Sequence, residues 1–86
     1  MTVTIKYLVL DVLKPHEPPL PDFASKICVL KNIKKVNVSL IEFDERTESL
    51  KVIIEGSAID FESLKEHMND IGGAIHSVDQ VIVEKD

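Results

Sequence analysis

Four stretches of the chain have apolar residues in the pattern of a β-strand. Residues 3–13 are dense in Val, Ile, Leu and Tyr without a helical stripe, and prolines follow, so they predict a first strand. Residues 36–40 and 50–54 alternate between apolar and polar and flank the polar turn 43–48, which predicts a β-hairpin. A last strand is predicted over residues 74–84.

Two other stretches place apolar residues three and four positions apart, the spacing of a helix that packs one face on a sheet. The first helix is predicted to open at Pro21 or Asp22 and to run to about Lys31, because proline fits the first helical position and aspartate favours the positive end of the helix dipole. The second begins after Asp60, which can cap its first turn, and ends at Gly72-Gly73.

The predicted order βαββαβ is typical of the ferredoxin-like sandwich, an α+β fold with an antiparallel sheet in strand order 4-1-3-2 and both helices on one face. The chain of 86 residues suffices for one such domain, spanning residues 1–86, and is too short for two. Its small core and the apolar residues expected on the open sheet face predict a homo-oligomer. Those residues are Ile5, Tyr7, Val9, Ile41 and Ile53.

The charge balance and the cysteine content narrow the expected partners and location. The chain has 15 acidic and 10 basic residues, and its net charge of -5 repels phosphate backbones and anionic membrane surfaces. We therefore expect neither nucleic acid nor a membrane as a partner. The single cysteine, Cys28, cannot form an intrachain disulfide, and the apolar run 7–13 is too short to cross a bilayer, so we expect a soluble cytoplasmic protein.

The predicted topology gathers polar side chains from the first crossover, the hairpin and the last strand at one rim of the sandwich. Carboxylates supply charge, and imidazoles a neutral donor, to hard or borderline divalent cations. The candidate ligands of a metal site at this rim are Asp11, His16, Asp44 and His76, with calcium or magnesium as the expected cation. The alternative is a solvated acidic rim in which Asp11 pairs with Lys14 or another cation.

No motif in the sequence makes a case for catalysis. A nucleophilic Cys28 would need a base beside it, and Gly72-Gly73 follows a helix instead of preceding one as a phosphate-binding loop does. We therefore expect a protein that is not an enzyme. Two alternatives stay open: a regulatory module of the amino-acid-sensing type that binds a small metabolite between subunits, and a hydrolase that uses metal-bound water.

Three motifs resemble a known family. The segments 11–18 (Asp-Val-Leu-Lys-Pro-His-Glu-Pro), 42–48 (Glu-x-Asp-x-x-Thr-Glu) and 72–79 (Gly-Gly-x-Ile-His-Ser-Val-Asp) resemble the small archaeal family of domain of unknown function 211, across essentially the whole chain. The resemblance implies a ferredoxin-like fold, an archaeal source and a ring-like assembly of several copies, and it implies no established activity. Gln80 stands where the resemblance implies an acid, which weakens any site that needs a carboxylate there.

Overall fold

Six secondary-structure elements follow one another along residues 2–85, the part of the chain that the computed structural model describes. Their order is strand, helix, strand, strand, helix, strand, which confirms the order that the sequence predicts. The elements are β1 (Val3–Pro15), α1 (Leu20–Cys28), β2 (Ile33–Phe43), β3 (Thr47–Gly56), α2 (Phe61–Asp70) and β4 (Ala74–Lys85).

The four strands form one antiparallel sheet in the order β2-β3-β1-β4. Counted from the other side this is the order 4-1-3-2, so the predicted ferredoxin-like α+β fold is confirmed. β1 lies between β3 and β4, and a strand inside the sheet can bury apolar residues on both of its faces. β2 and β4 form the two edges of the sheet.

The hydrophobic core lies between one face of the sheet and the two helices. Side chains alternate along a strand, and the even-numbered residues from 8 to 14 in β1 and from 48 to 54 in β3 enter the core. Leu10 lies opposite Val52 on the neighbouring strand, and both are fully buried. The helices contribute four fully buried side chains, Phe23, Ile27, Leu64 and Met68. Both helices therefore pack on the same face, as predicted.

One residue predicted for the open face lies on the core face instead. The pairing of β1 with β4 shifts between Ile5 and Tyr7, where Lys6 is an extra residue that reverses the alternation of side chains. Ile5 consequently packs against the core cluster, on the same side as Leu8. The predicted place of Ile5 is wrong, whereas Val9 lies on the open face as predicted.

The strands are much longer than the helices that cover them. β1 has 13 residues and β4 has 12, which at about 3.3 Å per residue makes each strand roughly 40 Å long. The helices have 9 and 10 residues and are only about 15 Å long. The molecule measures 47 × 22 × 18 Å, and large apolar side chains of both edge strands stay exposed. These are Leu40, Ile41 and Phe43 in β2 and Val78, Val81, Ile82 and Val83 in β4.

The ends of α2 follow the sequence signals. Asp60 caps the helix, because its Oδ1 accepts a hydrogen bond from the backbone N–H of Ser63 at 3.3 Å. After the last helical residue, Gly72 adopts a φ of 96°, in the left-handed region that glycine enters without a steric penalty. In the part of the chain that the structure describes, no helix is long and apolar enough to cross a membrane.

α1 ends three residues earlier than the sequence pattern indicates. It stops at Cys28 because the chain must turn to begin β2 at the buried Ile33. The turn uses Asn32 at a φ of 70°, a conformation that asparagine tolerates better than most residues. The Asn32 carbonyl accepts a hydrogen bond from the N–H of Ser57 at 2.9 Å, and the backbone of Asn32 lies directly against Gly56.

Candidate functional site

The four predicted metal ligands do not converge on one point, although His16 and Asp44 both lie at the hairpin turn. Asp11 is in β1, His16 is in the loop that follows it, Asp44 is in the β2–β3 turn, and His76 is near the start of β4. Among residues 2–85, no group of three or more His, Cys, Asp or Glu side chains is arranged to hold a metal ion. The predicted four-residue set is therefore not brought together within one chain, since Asp11 lies on the open face and His16 beside the hairpin turn.

An open groove of about 610 Å³ crosses the face of the sheet that no helix covers. Val9 lies in it and is only 6% exposed, because Ile53 and Gln80 flank it on the neighbouring strands. Of the four predicted ligands, only Asp11 lines this groove. The polar side chains that line it are Asp11, Glu42, Ser49, Lys51, Asp79 and Gln80. We call it the open-face groove.

The charges of the open-face groove come from all four strands. Asp11 of β1 lies directly opposite Lys51 of β3, yet Asp11 takes part in no ion pair within residues 2–85. Glu42 and Asp79 lie beside register shifts in β2 and β4, where a bulge can turn successive side chains to one face. Three carboxylates against one ammonium make the groove electronegative, which favours a cationic ligand.

A second polar cluster, formed by Lys14, His16 and Glu48, lies on the core side of the sheet beside the hairpin. Lys14 and Glu48 face each other on β1 and β3, and Lys14 is only 1% exposed. The Lys14 ammonium donates to the carbonyl oxygens of Pro15 and Pro18 at 2.8 and 2.6 Å, and it lies 3.1 Å from Glu48 Oε1. A buried charge needs such partners, because an unpaired charge is strongly disfavoured outside water.

His16 connects this cluster to the hairpin turn. Its Nδ1 donates to Glu48 Oε2 at 3.1 Å, its Nε2 donates to the Glu45 carbonyl at 3.0 Å, and its ring stacks on Phe43 with 4.2 Å between the centroids. Both hydrogen-bond partners can only accept, so the imidazolium, with two N–H groups, satisfies both contacts. The hydrogen bond to Glu48 and that to the Glu45 carbonyl raise the pKa of His16 above its ordinary value of 6.5.

Glu48 is the buried acid that joins Lys14 to His16. Burial alone would raise the pKa of Glu48, but the hydrogen bond from His16 and the adjacent Lys14 ammonium outweigh it and hold the pKa below its ordinary value of 4.5. Oε1 of Glu48 is buried and accepts no well-directed hydrogen bond, although the Lys14 ammonium is 3.1 Å away. The Lys14 ammonium also lies within 3.3 Å of the carbonyl oxygens of residues 15, 16 and 18, and it forms an ion pair with Oε1.

The Lys14–His16–Glu48 cluster fastens the loop after β1 to the hairpin, and its charged groups are engaged with one another. The prediction places Lys14 at the polar rim and omits Glu48 from the candidate ligands. The sequence does contain a signal for this pair. The core-facing positions are 8, 10 and 12 in β1 and 50, 52 and 54 in β3, and one further step in each series reaches Lys14 and Glu48.

Comparison with known proteins shows similarity over nearly the whole chain. The model of domain-of-unknown-function family 211, whose description reads "Uncharacterized ArCR", matches residues 6–86. An uncharacterized protein of Methanocaldococcus jannaschii is 47% identical over 81 residues, which make up 94% of this chain and 84% of that relative. Both matches include the strands that carry the open-face groove and the Lys14–His16–Glu48 cluster.

Proposed function

This chain belongs to the archaeal family of domain of unknown function 211, whose description names no activity, and we propose from its geometry that it is a self-associating, non-enzymatic protein that binds a small cationic ligand. The observation that carries the proposal is the open-face groove, a concave surface with an excess of carboxylates on the uncovered side of the sheet. A site of this kind joins an apolar floor to a few polar groups, which is the usual composition of a small-ligand site.

The groove is suited to a ligand because its charges are not already neutralised. Asp11 is half-buried and has no ion-pair partner in residues 2–85. A bound cation would supply the missing countercharge, and carboxylate oxygens are the ligands that calcium and magnesium prefer. No three carboxylates of residues 2–85 are arranged to hold a metal ion by themselves, so water or a second copy of the chain would complete the coordination of a cation bound at Asp11.

A second candidate is a regulatory module that binds a small zwitterionic metabolite between subunits. The observation that favours it is Lys51, which stands directly opposite Asp11 in the same groove. An ammonium and a carboxylate on neighbouring strands can bind the two charges of an amino acid. A chelator separates the two candidates, since it removes a divalent cation and leaves a metal-free metabolite in place.

The buried charged side chains already have ion-pair and hydrogen-bond partners within the protein, which supports a role outside catalysis. Lys14 and Glu48 are the buried charged residues within residues 2–85 and form an ion pair with each other, while Lys14 also donates to backbone carbonyls and Glu48 accepts from His16. A general base or a nucleophile needs a side chain that is free to contact a substrate. The proposal also places the protein in the cytoplasm, on the ground that its single cysteine forms no intrachain disulfide.

The first test is native mass spectrometry of the untagged protein, before and after treatment with a chelator, together with calorimetric titration of Ca²⁺ and Mg²⁺. The proposal expects an oligomer that carries divalent cation and loses it to the chelator. Asp11→Asn should weaken cation binding at least about tenfold, because it removes the half-buried charge of the groove. Asp70→Asn is the matched control, since Asp70 is exposed at the end of α2 and should leave binding unchanged.

The possible results distinguish a bound cation from a metabolite, locate the cation and test the self-association. A metal-free oligomer that also fails to bind added Ca²⁺ and Mg²⁺ would refute the cation and direct the search to zwitterionic metabolites. Equal cation binding by Asp11→Asn and Asp70→Asn would show that the cation binds outside the open-face groove. A monomer at micromolar concentration would refute the self-association.

A further inference from the structure

The two edge strands of the sheet are long and uncovered. Within residues 2–85, β2 pairs only with β3, and β4 pairs only with β1. Each edge therefore presents one row of backbone N–H and C=O groups without strand partners, a surface that readily pairs with another strand. Both edges are long, since β2 has 11 residues and β4 has 12, and neither contains proline, although each carries charged residues and register shifts in its pairing.

Exposed apolar side chains accompany the free backbone groups on both edges. Val81, Ile82 and Val83 of β4 are 49%, 40% and 47% exposed, and Leu40 and Ile41 of β2 are 47% and 65% exposed. Consecutive residues of a strand point to opposite faces, so β4 is apolar on both of its sides near its end. An exposed edge with this composition is an association surface, because pairing removes apolar area from water while it satisfies the backbone groups.

The two edge strands run in directions that allow antiparallel pairing between copies of the chain. Three antiparallel pairings separate β2 from β4, so the two edges run in opposite directions. A second copy in the same orientation, placed beside β4, presents its β2 antiparallel to that strand. The sheet can then continue from copy to copy without a change of strand direction.

One pair of opposite charges fits this arrangement. β2 carries Lys34 and Lys35 at its start, whereas β4 ends with Glu84 followed by Lys85. Antiparallel alignment brings the start of β2 to the end of β4, so that Lys34 or Lys35 can contact Glu84. Lys35 already contacts Glu55 at 3.8 Å, but both side chains are well exposed and such a surface pair contributes little.

We propose that β4 of one copy pairs antiparallel with β2 of a second copy, so that the chains associate head to tail through their sheet edges. The proposal rests on the self-association proposed above and names the surface that carries it. Pairing of two β4 strands with each other is the competing arrangement.

Two variants, each with one edge blocked, test the proposal. The β4-blocked variant is Val81→Lys/Val83→Lys, and the β2-blocked variant is Leu40→Lys/Ile41→Lys. All four side chains are exposed in the single chain, so the fold should persist, and circular dichroism checks it. The control is Val29→Lys, which makes the same change at a valine that is 76% exposed at the end of α1.

Head-to-tail pairing gives a distinctive result in native mass spectrometry. Each blocked variant alone should fall to the mass of one chain, while their equimolar mixture should form a heterodimer through the two edges that stay free. Val29→Lys should keep the mass of the wild-type oligomer. If a lysine variant loses its native circular dichroism, threonine at the same positions removes the apolar groups and keeps a high strand propensity.

Four other results would overturn the proposal. A homodimer of the β2-blocked variant would show that two β4 strands pair with each other. A mixture that stays monomeric would show that the two free edges do not recognise each other. Wild-type mass for both variants would exclude the edges and leave the proposed self-association intact, whereas a monomeric wild-type protein would refute that self-association as well.

Discussion

Replacing Lys14 by methionine should destabilise the protein much more than the same replacement of an exposed lysine. Methionine keeps much of the apolar stem but removes the ammonium, which is almost fully buried and donates to the carbonyls of Pro15 and Pro18. The variant leaves the buried Glu48 carboxylate with only the partly exposed His16 as a charged partner. Removal of one partner from a buried ion pair costs about 3–5 kcal/mol, a large share of the roughly 4–13 kcal/mol expected for a chain of 86 residues.

Urea denaturation followed by circular dichroism at pH 7 measures this loss, at one protein concentration because self-association adds to apparent stability. Thermal melting of the same variant should show a fall in Tm of about 15–30 °C. Lys65→Met, at an exposed position of α2, is the control and should change the free energy of unfolding by less than about 0.5 kcal/mol.

A double variant tests whether the cost comes from the charge left behind. Lys14→Met/Glu48→Leu removes both charges, so its loss of stability should be about 1–3 kcal/mol smaller than the sum of the two single losses. A loss below about 1 kcal/mol in Lys14→Met, or strict additivity in the double variant, would refute the reading of this cluster as a buried structural ion pair.

Three further outcomes are expected. His16 has a raised pKa, so its protonated form stabilises the fold fully below about pH 6.5, and this stabilisation is lost as pH rises through the folded-state pKa. Glu48 has a lowered pKa, so its ionised form stabilises the fold above about pH 4.5, and this stabilisation is lost as pH falls through the folded-state pKa. Denaturation between pH 5 and 9 should therefore show a decline on the alkaline side that His16→Gln reduces and His76→Gln keeps. Gly56→Ala should lower the free energy of unfolding by more than about 1 kcal/mol, because the new Cβ meets a backbone carbonyl of the α1–β2 turn, and an unchanged Tm would contradict this. Asp60→Ala should cost about 1 kcal/mol by removing the α2 cap, also measured by thermal melting, and a neutral result would show that the cap is dispensable.

The fold could be predicted from the sequence because its signals are local. Hydrophobic periodicity separates strands from helices, and Asp60 and Gly72 mark the ends of α2 by backbone chemistry that needs no distant partner. The lengths of the strands were less predictable. β2 covers Ile33–Phe43 although the sequence alternates clearly only over 36–40, because backbone pairing with β3 continues where the side chains no longer alternate.

The candidate site depends on features that a single sequence pattern does not contain. A bulge at Lys6 moves Ile5 to the core, and register shifts beside Glu42 and Asp79 bring these acids to the open face near Asp11. Such shifts arise from the fit between strands, so simple alternation cannot locate them. The burial of a charged pair is equally hard to predict, because charged residues are usually exposed to solvent.

β1 shows why the structural and the binding roles of this chain can be varied separately. Asp11 and Lys14 are three residues apart, and an odd number of steps along a strand reverses the face. Asp11 therefore meets the open-face groove, whereas Lys14 enters the core and holds the loop to the hairpin. A substitution of Asp11 changes the charge of the groove without opening a cavity in the core, and a substitution of Lys14 acts on stability without contacting the groove. Loss of cation binding in Asp11→Asn at unchanged Tm would therefore report on the groove alone, which no variant of Lys14 can do.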